Sequence, residues 1–88
     1  MSAHMITLRY FAWVREKTGR GEERVSLPDG VTTIAALIVW LKSRGPEYEA
    51  AFANAGVIRA AIDHVHVPPN AAIAGAKEIA FFPPVTGG

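Results

Sequence analysis

One segment of this 88-residue chain carries a clear helical period, and it lies between stretches that alternate as strands do. Ile34, Leu37, Ile38 and Leu41 recur at i, i+3, i+4 and i+7, which gathers them on one face of a helix. Thr32 or Thr33 can cap its N-terminus, since a hydroxyl there accepts from an otherwise orphaned backbone N–H. Lys42 and Arg44 fall in the last turn, where the helix dipole favours cations, and Gly45-Pro46 ends it. Val39 and Trp40 lie off the stripe, so the helix carries more apolar surface than one buried face uses.

Upstream, Ile6, Leu8 and Tyr10 alternate with Thr7, Arg9 and Phe11, predicting a first strand over residues 5–14. After the turn Thr18-Gly19-Arg20-Gly21, Glu22–Leu27 alternates again, so the two read as an antiparallel hairpin closed by Pro28-Asp29-Gly30. Downstream, residues 47–55 read as a short second helix with Tyr48 and Phe52 four apart. Residues 57–67 read as two strands about a turn at Asp63-His64, and residues 71–77 as a connector anchored by Ile73. Glu78–Phe82 is the last strand, with Ile79 and Phe81 on one face and Ala80 and Phe82 on the other. A helix on one face of a sheet, in the order β-β-α-(α)-β-β-β, is an α+β domain.

Most chemistries are excluded by what the chain lacks. No cysteine is present, which removes disulfides, thiolate metal sites and any cysteine-persulfide step on this chain. His64 and His66 are two apart with no third ligand near in sequence, and His4 lies in a patternless start, so no metal site is expected. Ser2, Ser26 and Ser43 have no nucleophile elbow around them. Glu22-Glu23 and Glu47/Glu49 read as solvated faces, and Gly19-Arg20-Gly21, lying between strands, as a turn rather than a phosphate cradle. A net charge of +1 is too balanced for a nucleic-acid footprint. The longest apolar run, residues 34–41, falls short of the ~18 residues of a membrane span. With no secretory pattern at the start, the expectation is a cytoplasmic protein.

The C-terminus is where chemistry remains. The last strand runs into Pro83-Pro84, then Val85-Thr86, then Gly87-Gly88. The prolines cannot continue a sheet and hold an extended arm. Six residues at ~3.3 Å each reach roughly 20 Å from the domain. Without side chains, Gly87 and Gly88 let the terminal carboxylate thread a channel too narrow for a Cβ. The chain thus divides into residues 1–4, a disordered or added start; residues 5–82, the domain; and residues 83–88, an extended diglycine tail.

The octet Phe81-Phe82-Pro83-Pro84-Val85-Thr86-Gly87-Gly88 resembles the C-terminal signature of the MoaD family, the small sulfur-carrier subunits of molybdopterin synthase. Tyr10-Phe11-Ala12-Trp13-Val14-Arg15-Glu16 resembles that family's first-strand motif, and Ala60-Ala61-Ile62-Asp63 its third-strand motif, with Asp63 where asparagine is common. Gly75-Ala76-Lys77-Glu78 departs from the family's usual acidic turn. The resemblance implies a ubiquitin-like β-grasp fold, a mixed sheet with one main helix packed on one face. It implies that an E1-like adenylyltransferase uses ATP to activate Gly88, that a sulfur donor protein converts it to a thiocarboxylate, and that the molybdopterin synthase large subunit receives the sulfur for a cyclic pyranopterin monophosphate. No cofactor is then bound by this chain itself, and neither nucleic acid nor membrane is a partner. A thiamine-pathway sulfur carrier and a protein modifier conjugated through Gly88 share the adenylation step and stand as alternatives.

Alternation also predicts a surface. With Ile6, Leu8 and Tyr10 inward, Phe11 and Trp13 point outward, and with Ile79 and Phe81 inward so does Phe82. If the first and last strands are neighbours, as a β-grasp sheet requires, Phe11 and Phe82 make an aromatic patch at the root of the tail, with Pro83 and Pro84 beside it. Exposed apolar patches of this kind mark interfaces. Arg15 is a candidate for holding a partner carboxylate, with a solvated strand-end arginine as the other reading.

Overall fold

The computed structural model of the protein describes residues 4–84. Five strands, β1 (His4–Tyr10), β2 (Glu22–Leu27), β3 (Arg59–Ile62), β4 (Val65–Val67) and β5 (Glu78–Phe82), form one sheet in the order β2-β1-β5-β3-β4. β1 and β5 run parallel at its centre, Tyr10 beside Phe81, while β2, β3 and β4 join antiparallel. Three α-helices accompany it: α1 (Ala12–Thr18), α2 (Ile34–Lys42) and α3 (Pro46–Ala51), with a single 3₁₀ turn at Ala55–Val57.

The expected helix is α2. Its N-cap is Thr33, whose Oγ1 accepts from Ala36 N at 3.1 Å, and its buried residues are Ile34, Leu37, Ile38 and Leu41. These meet Ile6, Leu8, Ile79 and Phe81 of the sheet, all essentially inaccessible. Tyr10, Phe52 and Phe81 close one end of the core, Tyr10 stacked on Phe81 at 6.2 Å and Phe52 edge-on to Phe81 at 5.2 Å. Pro46 follows Gly45 at the first turn of α3, a position that needs no N–H.

The first strand ends earlier than alternation predicts, and the hairpin connection contains a helix. Phe11 donates its N–H to Phe81 O at 3.1 Å, the last sheet contact, and Ala12 then turns into the left-handed region at φ 53°. The chain leaves the sheet there and coils as α1, capped by Gly19 at φ 81°, whose N–H donates to Arg15 O. Val14 carried the strand parity by coincidence; it is buried one helical turn from Thr18 instead. Trp13 is therefore on α1, half-buried against the core, and does not join an outer sheet face. Residues 47–55 are shorter in helix than expected, since α3 stops at Ala51 and the 3₁₀ turn begins at Ala55. His4 belongs to β1 and bonds Ala76 O through Nε2 at 2.9 Å. Asp63 and His64 form the β3–β4 turn, both at positive φ, and the Asp63 carboxylate accepts from Lys77 N and Glu78 N, tying that turn to the start of β5.

Candidate functional site

The helices cover one face of the sheet and leave the other open. On that outer face the register sets Arg9 beside Glu22 and Ala80, Ala61 beside Ala80 and His66, and Arg59 beside Phe82. Phe11 extends β1 by one residue and is 41% exposed. The Arg9 guanidinium lies 5.4 Å from the Phe11 ring centroid and within 4.0 Å of both Glu22 and Glu78. Its Nε is screened from solvent without a hydrogen bond. Phe82 is half-buried, its ring 5.0 Å from that of His66. Pro83 and Pro84 follow, also half-buried.

The central position of β5 thus delivers the chain to this edge between Phe11 on one side and Arg59 on the other. Phe11 and Phe82 both fall on this face, but each ring has its own partner, Arg9 for Phe11 and His66 for the half-buried Phe82. Arg15 is elsewhere: it sits on α1, exposed, with its guanidinium over Gly21, so it is not a strand-end residue. Val85, Thr86, Gly87 and Gly88 lie outside the described residues. Arg9 and His66 are members of the face that the sequence reading left unnamed, although the alternation Met5, Thr7, Arg9, Phe11 contains the signal for the first of them.

Behind the open face, one carboxylate fixes the strand that bears Phe11. Glu23 Oε2 accepts from Tyr10 Oη at 2.7 Å, Tyr48 Oη at 2.8 Å and Arg44 Nη1 at 3.1 Å, while Arg20 Nη1 donates to Oε1 at 3.3 Å. Burial alone would raise the Glu23 pKa, but the bonds from Tyr10, Tyr48 and Arg44 outweigh it and hold the carboxyl below its ordinary range. Burial first, then the bond to Glu23, pushes both tyrosine hydroxyls up. Among the described residues, no three histidine, aspartate or glutamate side chains come together as a metal ion requires, and no helix is long and apolar enough to cross a membrane. The open face can bind a surface; the hydroxyl–carboxylate contacts of Tyr10 and Tyr48 with Glu23 lie behind it. The reacting group expected from the sequence is the chain terminus.

Comparison with known proteins agrees with this geometry. The model of the ThiS family matches residues 8–88. The molybdopterin synthase sulfur carrier subunit of Haemophilus influenzae is 34% identical over 84 residues, covering 96% of this chain and 100% of that protein. Among solved structures, small archaeal modifier protein 1 (SAMP1) of Haloferax volcanii superposes with a TM-score of 0.73 at 28% identity, over 97% of this chain and 100% of that one. A putative molybdopterin converting factor subunit 1 from Pyrococcus furiosus gives a TM-score of 0.70 at 25% identity, over 92% and 98%. The parallel β1–β5 centre, the helix across one face and these matches together show that the chain belongs to the ThiS family, as a sulfur-carrier protein of the MoaD type with a ubiquitin-like β-grasp fold.

Proposed function

We propose that this chain is the sulfur-carrying subunit of a molybdopterin synthase, with the Gly88 carboxylate as the group that is loaded and spent. The observation that carries the reading is the 34% identity to the Haemophilus influenzae sulfur carrier subunit along that protein's whole length. The tail chemistry is consistent with it. A carboxylate oxygen of Gly88 attacks the α-phosphorus of ATP in an E1-like adenylyltransferase, and pyrophosphate leaves. Hydrosulfide delivered by the donor adds to the acyl carbon, and AMP leaves, so the terminus becomes a thiocarboxylate. In the large subunit that sulfur bonds a carbon of the pterin precursor as the bond from that carbon to a leaving oxygen breaks, and water then cleaves the acyl–sulfur bond to restore the carboxylate. This chain contributes the reacting terminus and a docking surface, Phe11, Phe82, Pro83 and Pro84, while catalytic side chains and ATP belong to its partners.

A second reading, a modifier joined to lysines of other proteins, is favoured by the structural likeness to SAMP1. It uses the same acyl adenylate with an amine in place of sulfur. Incubating the chain with its E1-like enzyme, ATP and sulfide, then measuring intact mass, tests the first reading. Exchange of one oxygen for sulfur on the full chain, absent after deletion of Gly88, is the expected result. Normal loading of the truncated chain, or adducts on lysines alone, would overturn it.

A further inference from the structure

The surplus apolar surface of α2 opens onto a second surface, on the side of the sheet away from the open face. Ala35, Val39 and Lys42 form a stripe at i, i+4 and i+7 beside the core stripe, and they line one wall of a groove of about 470 Å³. Ile58, Val67 and Pro68 stand on the other wall. Val39 is 70% exposed, so nothing in the described fold covers this stripe. The charged residues lining the groove are Lys42 and Arg59; no aspartate or glutamate does, and neither cation has an ion-pair partner among the described residues.

Each of these features narrows the occupant. Small-molecule sites enclose most of their ligand, and a wall residue as exposed as Val39 encloses little, which favours a macromolecular partner. A second copy laid face to face would bring Lys42 and Arg59 of both chains together with no carboxylate between them. A partner segment with apolar side chains and an acidic residue meets both the walls and the charge. We propose that this groove docks an extended apolar segment of a partner protein, with an acidic side chain of that segment meeting Lys42. The proposal does not depend on the sulfur-carrier reading; Arg59, which pairs with Phe82 on the open face, also borders the groove, so the two surfaces meet at β3.

The probe is a fluorescein-labelled peptide of alternating leucine and valine preceded by a glutamate pair, titrated into the full-length ¹⁵N-labelled chain. Amide shifts are expected to gather around Ala35, Val39, Lys42, Ile58 and Val67 and to leave Phe11 unmoved. By anisotropy, Val39→Asp, Lys42→Glu and a glutamine version of the peptide each weaken binding about tenfold or more, whereas Lys17→Glu on α1 does not. Both groove positions are solvent-accessible, and retained amide dispersion shows that the variants fold. Absence of shifts, shifts confined to the open face, or equal affinity for the glutamine peptide would overturn the proposal. So would a concentration-dependent dimer abolished by Val39→Asp, which would make the occupant a second copy.

Discussion

Replacing Glu23 with alanine tests how the fold holds the root of the tail. The substitution removes the acceptor of the Tyr10 hydroxyl, and Tyr10 is only 1% exposed, so the hydroxyl is left unpaired in a largely buried site. An unsatisfied buried hydroxyl costs about 1–3 kcal/mol. Loss of the Tyr48 bond, together with the exposed contacts to Arg44 and Arg20, adds about 1 kcal/mol. The sum, roughly 2–4 kcal/mol, is large against the ~4–13 kcal/mol expected of a domain this size. At 4–8 °C per kcal/mol it predicts a fall in Tm of roughly 8–32 °C. Urea unfolding followed by tryptophan fluorescence measures it, and a cycle with Tyr10→Phe isolates the cause. With the hydroxyl already gone, Glu23→Ala should cost about 1–3 kcal/mol less. Equal costs in both backgrounds would refute the buried-hydroxyl argument.

The same network sets pH limits. Glu23 has a depressed pKa, so its contribution is present above the ordinary carboxylate range and is lost as pH falls through the folded value. Stability should drop in acid, less so in Glu23→Gln. Tyr10 and Tyr48 have raised pKa values, so their neutral forms stabilise the fold below their ordinary value of 10.0, and stability should decline as pH rises beyond it. Ala12→Gly relieves the left-handed φ of 53° and should stabilise by about 1 kcal/mol, read as a rise in Tm; a fall would show that α1 does not begin as described. Phe82→Ala should weaken binding to a large subunit by about 2–4 kcal/mol, roughly 30- to 1000-fold, in calorimetric titration. The isolated domain should lose much less, and a large Tm drop with unchanged affinity would count against an interface role. Gly87→Ala should leave docking intact and slow turnover, and tolerance of bulky residues there would end the channel argument.

β1, β2, β5 and α2 were legible because each buries a single face, and period 2 or 3.6 reports that burial directly. The Asp63-His64 turn was legible for the same reason, since apolar alternation brackets it. α1 was not, because a seven-residue helix has room for barely two turns and Val14 falls on the inward parity of the preceding strand. The break is made by the backbone of Ala12, and alanine gives no sign of a positive φ. Glu23 read as one of a solvated pair because its partners come from two separate stretches, Tyr10 before it and Arg44 and Tyr48 well after it. At the tail root parity sufficed to place Phe11 and Phe82 on the outer face, but the ring partner of Phe82, His66, is brought there only through pairing of β3 with both neighbours.

The placement of β5 also decides how the domain responds to force. A pull on the tail is transmitted to a strand bonded on both sides, to β1 and to β3. Because β1 runs parallel to β5, tension between the chain ends loads the rungs from Thr7 beside Glu78 to Tyr10 beside Phe81 in shear, sharing the load among them instead of peeling them one by one. Forced unfolding is governed by the unfolding barrier rather than by equilibrium stability. Along that axis the domain's resistance is therefore set by the joint rupture of the β1–β5 rungs, separately from its equilibrium stability.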